Sequence, residues 1–160
     1  MRNWLIGLSI LMLLVIWQTG HLIYSVLDDK ASWEKEGIML ALEFTAIEQV
    51  EKVSLYHGKD RYTVVRGKNA SDIPMIAWFK DGSFEGFEYE KDVVPQERIE
   101  EQVRAQVKIK EWVRLQPGME DRRPVWEALL IDEEDKFNYY YYDMLSGQFI
   151  RSYRLQKENS

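Results

Sequence analysis

The chain has 160 residues, with 27 acidic and 21 basic side chains, a formal net charge of −6 and no cysteine. The lack of cysteine excludes disulfides, cysteine-bound zinc, a thiol nucleophile and a lipid anchor on cysteine. The acidic balance disfavours nucleic-acid binding, because a negative surface repels the phosphate backbone.

The first predicted element is a transmembrane helix at residues 4–27. The 24 residues from Trp4 to Leu27 include no Asp, Glu, Lys or Arg, and as a helix they would span about 36 Å, enough to cross a bilayer core of about 30 Å. Trp4 and Tyr24 lie near its two ends, as in an aromatic belt. The polar residues Gln18 and His21 either lie at the membrane interface or contact a partner helix.

Two other interpretations of this segment are weaker. A cleaved signal peptide fits Arg2 and the apolar run 4–17, but no small-x-small cleavage pattern follows the run. A buried soluble helix would need more chain than remains to cover it on all sides.

Charges around the span hardly decide its orientation. The very short N-terminus predicts a cytoplasmic start and an extracytoplasmic domain.

Residues 30–92 form the first predicted unit. A helix begins near Ser32, and four of its residues form an approximate apolar stripe: Trp33, Ile38, Leu42 and Ala46. Four strands follow, at residues 50–57, 61–66, 73–80 and 83–89. The pair Asp81-Gly82 favours a tight hairpin between the last two strands.

Residues 93–160 form the second predicted unit. A helix begins after Pro95, with Ile99, Val103 and Val107 along one face. Four strands are predicted at 112–115, 124–131, 136–142 and 148–155, and Gln116-Pro117-Gly118 is expected to break the chain after the first of them. The predicted fold class is α+β, in which each unit lays one helix on an antiparallel sheet and leaves the other face to solvent. Units of about 60 residues have marginal cores, so we expect the two to share an interface.

Several ordered motifs carry a family resemblance. Those in the second unit resemble the PepSY pattern, a cystatin-like domain: Trp126-Glu127-Ala128-Leu129-Leu130, Tyr140-Tyr141-Tyr142-Asp143 and Ser146-Gly147-Gln148-Phe149. The first unit departs further from that pattern but retains Tyr62-Thr63-Val64-Val65 and Ala77-Trp78-Phe79. The whole layout, with its anchor and two tandem units, is similar to the YpmB family of Gram-positive bacteria, the TseB-like cell wall elongation regulators.

That resemblance implies a single-pass, extracytoplasmic protein without enzymatic activity. It also implies association with the cell wall elongation machinery, including a class B penicillin-binding protein. It supplies no catalytic, metal-binding or cofactor-binding residues.

The residues themselves predict no active site. His57 precedes a glycine at a strand end, where an exposed turn residue is expected. The acidic run Asp132-Glu133-Glu134-Asp135 lacks the glycine and alternate spacing of an EF-hand loop. A solvated hairpin tip is therefore the expected role of this run, and we expect neither a metal nor a cofactor.

The run Tyr139-Tyr140-Tyr141-Tyr142 is the candidate partner-binding feature, together with Trp126, Gln18 and His21. In a strand, alternation directs two of the four rings to each face of the sheet. Exposed aromatic side chains on a sheet are enriched at protein interfaces. One pair of rings can join the core under the second helix. For the other pair, packing against the first unit is the favoured interpretation, and binding of a partner protein is the alternative.

Three functions therefore follow as hypotheses. The first is an outward-facing interaction protein that positions an envelope enzyme. The second is a PepSY-type inhibitor or modulator of a secreted peptidase. The third, an envelope hydrolase, would require a deep pocket with convergent carboxylates, which we do not expect.

Overall fold

The computed structural model describes Met12, Trp17 and residues 32–155. The predicted transmembrane helix at 4–27, with Gln18 and His21, lies outside these residues except for Met12 and Trp17. Among the residues described, no helix is both long and apolar enough to cross a membrane.

The first sheet follows a helix, α1, that covers residues 32–44. Its four strands are antiparallel and adjacent in chain order: β1 (Ile47–His57), β2 (Arg61–Asn69), β3 (Pro74–Lys80) and β4 (Ser83–Tyr89). The four strands predicted here are confirmed, although β1 begins and β2 ends three residues beyond the predicted bounds. The left-handed backbone at Asp81 and Gly82 forms the predicted turn before β4.

Helix α1 packs on the first sheet through small residues. A Cβ on Gly37 would lie 2.7 Å from Cγ1 of Val53 and 2.9 Å from Cγ2 of Thr63. The next buried helix position is Ala41, whereas Leu42 is 51% exposed. The predicted stripe through Leu42 and Ala46 is therefore wrong. Because the helix approaches the sheet so closely, its contact line runs through residues without bulky side chains, one position away from the predicted stripe.

Both faces of the first sheet are covered in its central strands. Val65 and Ala77 lie on the α1 side, while Tyr62, Val64 and Trp78 belong to a core that continues into the second half of the chain. The expectation that one face meets solvent is wrong for these strands. Neither face of these central strands is exposed to solvent, because the second half of the chain packs on the side that α1 leaves uncovered.

The second sheet begins after a short 3-10 turn (Glu90–Asp92) and helix α2 (Gln96–Gln106). Its strands are also antiparallel and in chain order: β5 (Ile109–Glu120), β6 (Arg123–Asp132), β7 (Phe137–Asp143) and β8 (Phe149–Leu155). On α2, Ile99 and Val103 are fully buried and Val107, just past its end, is partly buried, which confirms the predicted stripe.

Strand β5 is much longer than predicted. It continues through Pro117 and Gly118, which pair with Trp126 and Val125 of β6, so the predicted break at 116–118 is wrong. A proline is tolerated here because β5 is the first strand of its sheet and has one edge without a partner strand. Gly118 allows β5 to lie close to the first sheet, because a side chain at this position would collide with the ring of Tyr56.

That contact is part of a buried polar link between the sheets, the inter-sheet clasp formed by Tyr56, Glu120 and Arg151. The Tyr56 hydroxyl donates to Oε1 of Glu120 at 2.7 Å, and Nη2 of Arg151 lies 2.6 Å from Oε2 of the same carboxylate. Tyr56 is fully buried and Glu120 nearly so. Burial, and then the bond to Glu120, raise the pKa of Tyr56 well above its usual value, so the phenol remains a neutral donor.

We expect the Tyr56–Glu120 bond to contribute measurably to stability. A double-mutant cycle with Tyr56→Phe and Glu120→Ala, each of which removes the bond, should give a coupling of about 1.5–3 kcal/mol, the range for hydrogen bonds to charged groups. Urea unfolding followed by circular dichroism measures it.

A surface ion pair between the turns that follow β1 and β5 provides a matched control. Lys59 and Asp121 form a 2.8 Å ion pair with both side chains about two-thirds exposed, so a cycle on Lys59→Ala and Asp121→Ala should give a coupling close to zero. Equal couplings for the two pairs would contradict a special role for the buried one.

Candidate protein-interaction site

Two of the four consecutive tyrosines lie beneath α2. Tyr142 is fully buried, and its hydroxyl accepts a hydrogen bond from Nε2 of Gln106 at 2.9 Å. Burial, and then the neighbouring Tyr140, raise the pKa of Tyr142 to about 12. On the same face, Trp126 is 1% exposed and donates from Nε1 to the carbonyl of Val94 at 2.9 Å. These rings form the core between α2 and the second sheet.

The other two tyrosines lie on the opposite face of the sheet. Tyr141 is 7% exposed and donates to Oε2 of the buried Glu127 at 2.9 Å, and Arg114 and Gln116 bind the other oxygen. Burial, and then Glu127, raise the pKa of Tyr141 well above its usual value. The guanidinium of Arg151 stacks 4.7 Å from the Tyr141 ring. Tyr141 therefore borders the inter-sheet clasp.

Of the predicted partner-binding aromatics, Tyr139 has the most accessible ring. It is half-buried, and its register partner on β8 is Tyr153, which is 50% exposed. Trp126 and residues 140–142 are buried, so their direct contact with a partner stays a prediction that the fold does not favour. Gln18 and His21 lie outside the described residues, and their contact with a partner helix also stays a prediction.

The acidic hairpin after β6 is organised by hydrogen bonds around one carboxylate. Asp132 is buried and accepts bonds from the backbone N–H groups of Glu134 and Lys136, from Asn138 and from Arg154. Burial opposes its ionisation, but these donors outweigh burial and lower the pKa of Asp132 far below its usual value. Within the part of the chain that the structure describes, no cluster of three His, Asp or Glu could hold a metal.

Two strands that end their sheets carry accessible aromatic side chains. On β4, Phe84 and Phe87 are 40% and 42% exposed. On β8, Phe149 and Tyr153 are 49% and 50% exposed. The sequence analysis did not single out Phe84, Phe87 or Tyr153. The sequence feature that could have identified these residues is the place of their strands, because β4 and β8 are each the last strand of a predicted meander and so have one edge without a partner strand.

Comparison with known proteins agrees with the predicted resemblance. Residues 36–80 match the family described as "Cell wall elongation regulator TseB-like domain". The chain is similar to TseB-like cell wall elongation regulators. No curated protein matches its sequence.

Among solved structures, the YpmB protein from Bacillus subtilis is similar, with a TM-score of 0.68 and 16% sequence identity. The likeness covers 77% of this chain and 96% of that one, and at this identity it shows a shared fold. The matched family segment runs from α1 to the end of β3 and thus lies in the first sheet. Most motifs that carried the predicted resemblance lie in the second sheet.

The Asp132 network predicts a pH dependence of stability. Because the folded pKa lies below the value of about 3.9 for an unfolded aspartate, its contribution is fully present above about pH 5 and is lost as the pH falls through the folded pKa. Asp132→Asn should therefore show a flatter loss of unfolding free energy between about pH 5 and pH 2 than the unsubstituted protein.

Asp135→Asn is the matched control in the same hairpin, since Asp135 is exposed and bonds Lys110 at the surface. Its acid profile should parallel that of the unsubstituted protein. Urea unfolding at each pH measures both, and a parallel profile for Asp132→Asn would contradict the prediction.

Proposed function

We propose that this chain is a membrane-anchored, extracytoplasmic protein that regulates cell wall elongation by binding a class B penicillin-binding protein. The observation that carries the proposal is the match of residues 36–80 to the TseB-like domain of cell wall elongation regulators. The fold shared with YpmB is consistent with it.

A binding role accords with how the buried carboxylates are used. Glu120, Glu127 and Asp132 each pair with an arginine, at 2.6, 3.1 and 2.7 Å respectively. A general acid or base must reach a substrate and exchange its proton near the working pH. Carboxylates held in ion pairs inside the fold suit a structural role, which supports a regulator that acts through its surface.

The predicted anchor would favour binding to a membrane-bound partner. A helix at 4–27 would confine the folded domain to the plane of a membrane-bound synthase. Confinement raises the effective concentration of the two partners without any new contact. A modest interaction surface is then sufficient for association.

The proposed orientation can be tested because the chain has no cysteine. Ser83→Cys places a single thiol on an exposed residue of β4 and should react with a membrane-impermeant maleimide in intact cells. Asn3→Cys, before the predicted span, should react only after the membrane is permeabilised. The reverse pattern would place the domain inside the cell.

The proposed partner can be tested by co-purification of the tagged full chain from detergent-solubilised membranes. A fluorescent penicillin should label a class B penicillin-binding protein in the eluate, and an unrelated tagged single-span protein should recover none. A chimera with an unrelated membrane helix in place of 4–27 reports whether Gln18 and His21 take part. Recovery of a secreted peptidase without any penicillin-binding protein would instead favour the PepSY-type modulator.

A further inference from the structure

We propose that the free edge of β4 is the docking site for an extended, positively charged segment of the protein partner, which adds a fifth strand to the first sheet. This inference rests on the proposed function and deepens it, because it names the surface and the chemistry of the segment bound. Addition of a strand to an exposed sheet edge is a common mode of peptide recognition.

Strand β4 offers an unpaired backbone next to accessible apolar rings. It is the last strand of its sheet, so within the described residues its outer edge bonds to no other strand. Phe84 and Phe87 both lie on the α1 side of the sheet, and the rings of Phe79 at 5.7 Å and Tyr89 at 5.4 Å hold them in place. An incoming strand would meet two positioned aromatic side chains along with main-chain hydrogen-bonding groups.

The strand also lacks some of the features that usually protect an edge. Between Ser83 and Tyr89 there is no proline and no lysine. An irregularity in pairing separates Phe84 from Gly86, and from Gly86 to Tyr89 the strand pairs regularly with β3. A segment of at least four residues is therefore extended and available at its outer edge.

Charge determines what kind of segment would bind. Residues 81–101 hold eight acidic side chains against Lys91 and Arg98, a local charge of −6 that equals the net charge of the whole chain. Of these eight, within the described part of the chain, only Glu90 forms an ion pair, with Arg66 at 3.2 Å. Burial, and then the charge of Asp92, raise the pKa of Glu88. A cationic segment would relieve this repulsion, whereas an acidic one would increase it.

The two faces of the sheet specify a pattern in the incoming strand. Phe87 pairs with Ala77 on the α1 side, and Glu88 pairs with Ile76 on the opposite side. Side chains of an added strand alternate between the same two faces. The segment should therefore alternate apolar residues, facing Phe84 and Phe87, with Lys or Arg, facing Glu88 and the nearby Asp92.

Strand β8 provides an internal comparison. It is also the last strand of a sheet and exposes aromatic side chains, but its charged residues are Arg151 and Arg154. Both are held by carboxylates, Arg151 by Glu120 and Arg154 by Asp132. This edge has no acidic residue to attract a basic segment, so β8 variants are matched controls.

The experiment uses the full chain in detergent micelles and a fluorescent peptide, Lys-Val-Lys-Val-Lys-Val-Lys, with binding followed by anisotropy. We expect binding that weakens steeply with added salt, and no binding of the matching Glu-Val peptide. N-methylation of alternate peptide nitrogens along one edge should abolish binding, because it removes the donors that pair with β4. Equal binding of the basic and acidic peptides, or of the methylated and unmethylated peptides, would overturn the proposal.

Substitutions on β4 and β8 then test whether the peptide binds at β4. Phe87→Ser should weaken binding by about 10-fold or more, while Tyr153→Ser on β8 should leave it unchanged. Because loss of Phe87 could also disturb the sheet, a charge-inverted variant, Glu88→Lys with Asp92→Lys, supplies a second test at the two carboxylates that would face the added strand. It should weaken binding of the Lys-Val peptide by about 10-fold or more, because the two substitutions reduce the local charge of residues 81–101 from −6 to −2. An equal loss on β8, or unchanged binding of the Lys-Val peptide by the charge-inverted variant, would overturn the β4 assignment.

Co-purification separates this inference from the proposed function. If the unsubstituted chain and the charge-inverted variant recover the penicillin-binding protein equally, the β4 site is wrong and the proposed function stands. If the unsubstituted chain recovers none, the proposed function fails whatever the peptides do. Recovery by the unsubstituted chain that the inversion abolishes supports both.

Discussion

The buried hydrogen bond from Tyr56 to Glu120 is the constraint around which the two sheets are arranged. It places a phenol of the first sheet on a carboxylate of the second, and Arg151 on the last strand holds that carboxylate from the other side. A buried carboxylate is costly unless it is paired and hydrogen-bonded. The clasp meets that requirement only when β1, β5 and β8 are all in place, so it couples the sheets rather than stabilising either one alone.

Close approach makes the clasp possible. Gly118 leaves room for the ring of Tyr56, and Gly37 lets α1 sit directly on β1 and β2. With α1 on one face and the second half of the chain on the other, the central strands of the first sheet are buried on both sides. Sheet edges are among the surfaces left for a partner, and both β4 and β8 carry accessible aromatic rings.

Charge separates these two edges. The arginines on β8 are used internally, since each completes a buried carboxylate of the fold. The carboxylates around β4 are mostly without such partners and concentrate the negative charge of the chain there. A domain that acts by binding would gain selectivity from this difference, because complementary charge speeds association and rejects partners of the wrong sign.

The sequence by itself determined the α+β class, all eight strands, the stripe of α2 and the family resemblance, because alternation and helical periodicity are local properties of the chain. It placed the break at Pro117-Gly118 and the α1 stripe through Leu42 wrongly. In both places a glycine allows distant segments of the chain to approach closely. Local sequence patterns do not reveal such contacts. Tertiary structure alone decided that Tyr141 and Trp126 are buried while Phe87 and Tyr153 remain accessible. The physical reason is that exposure depends on which faces are covered by other elements and which strands end a sheet.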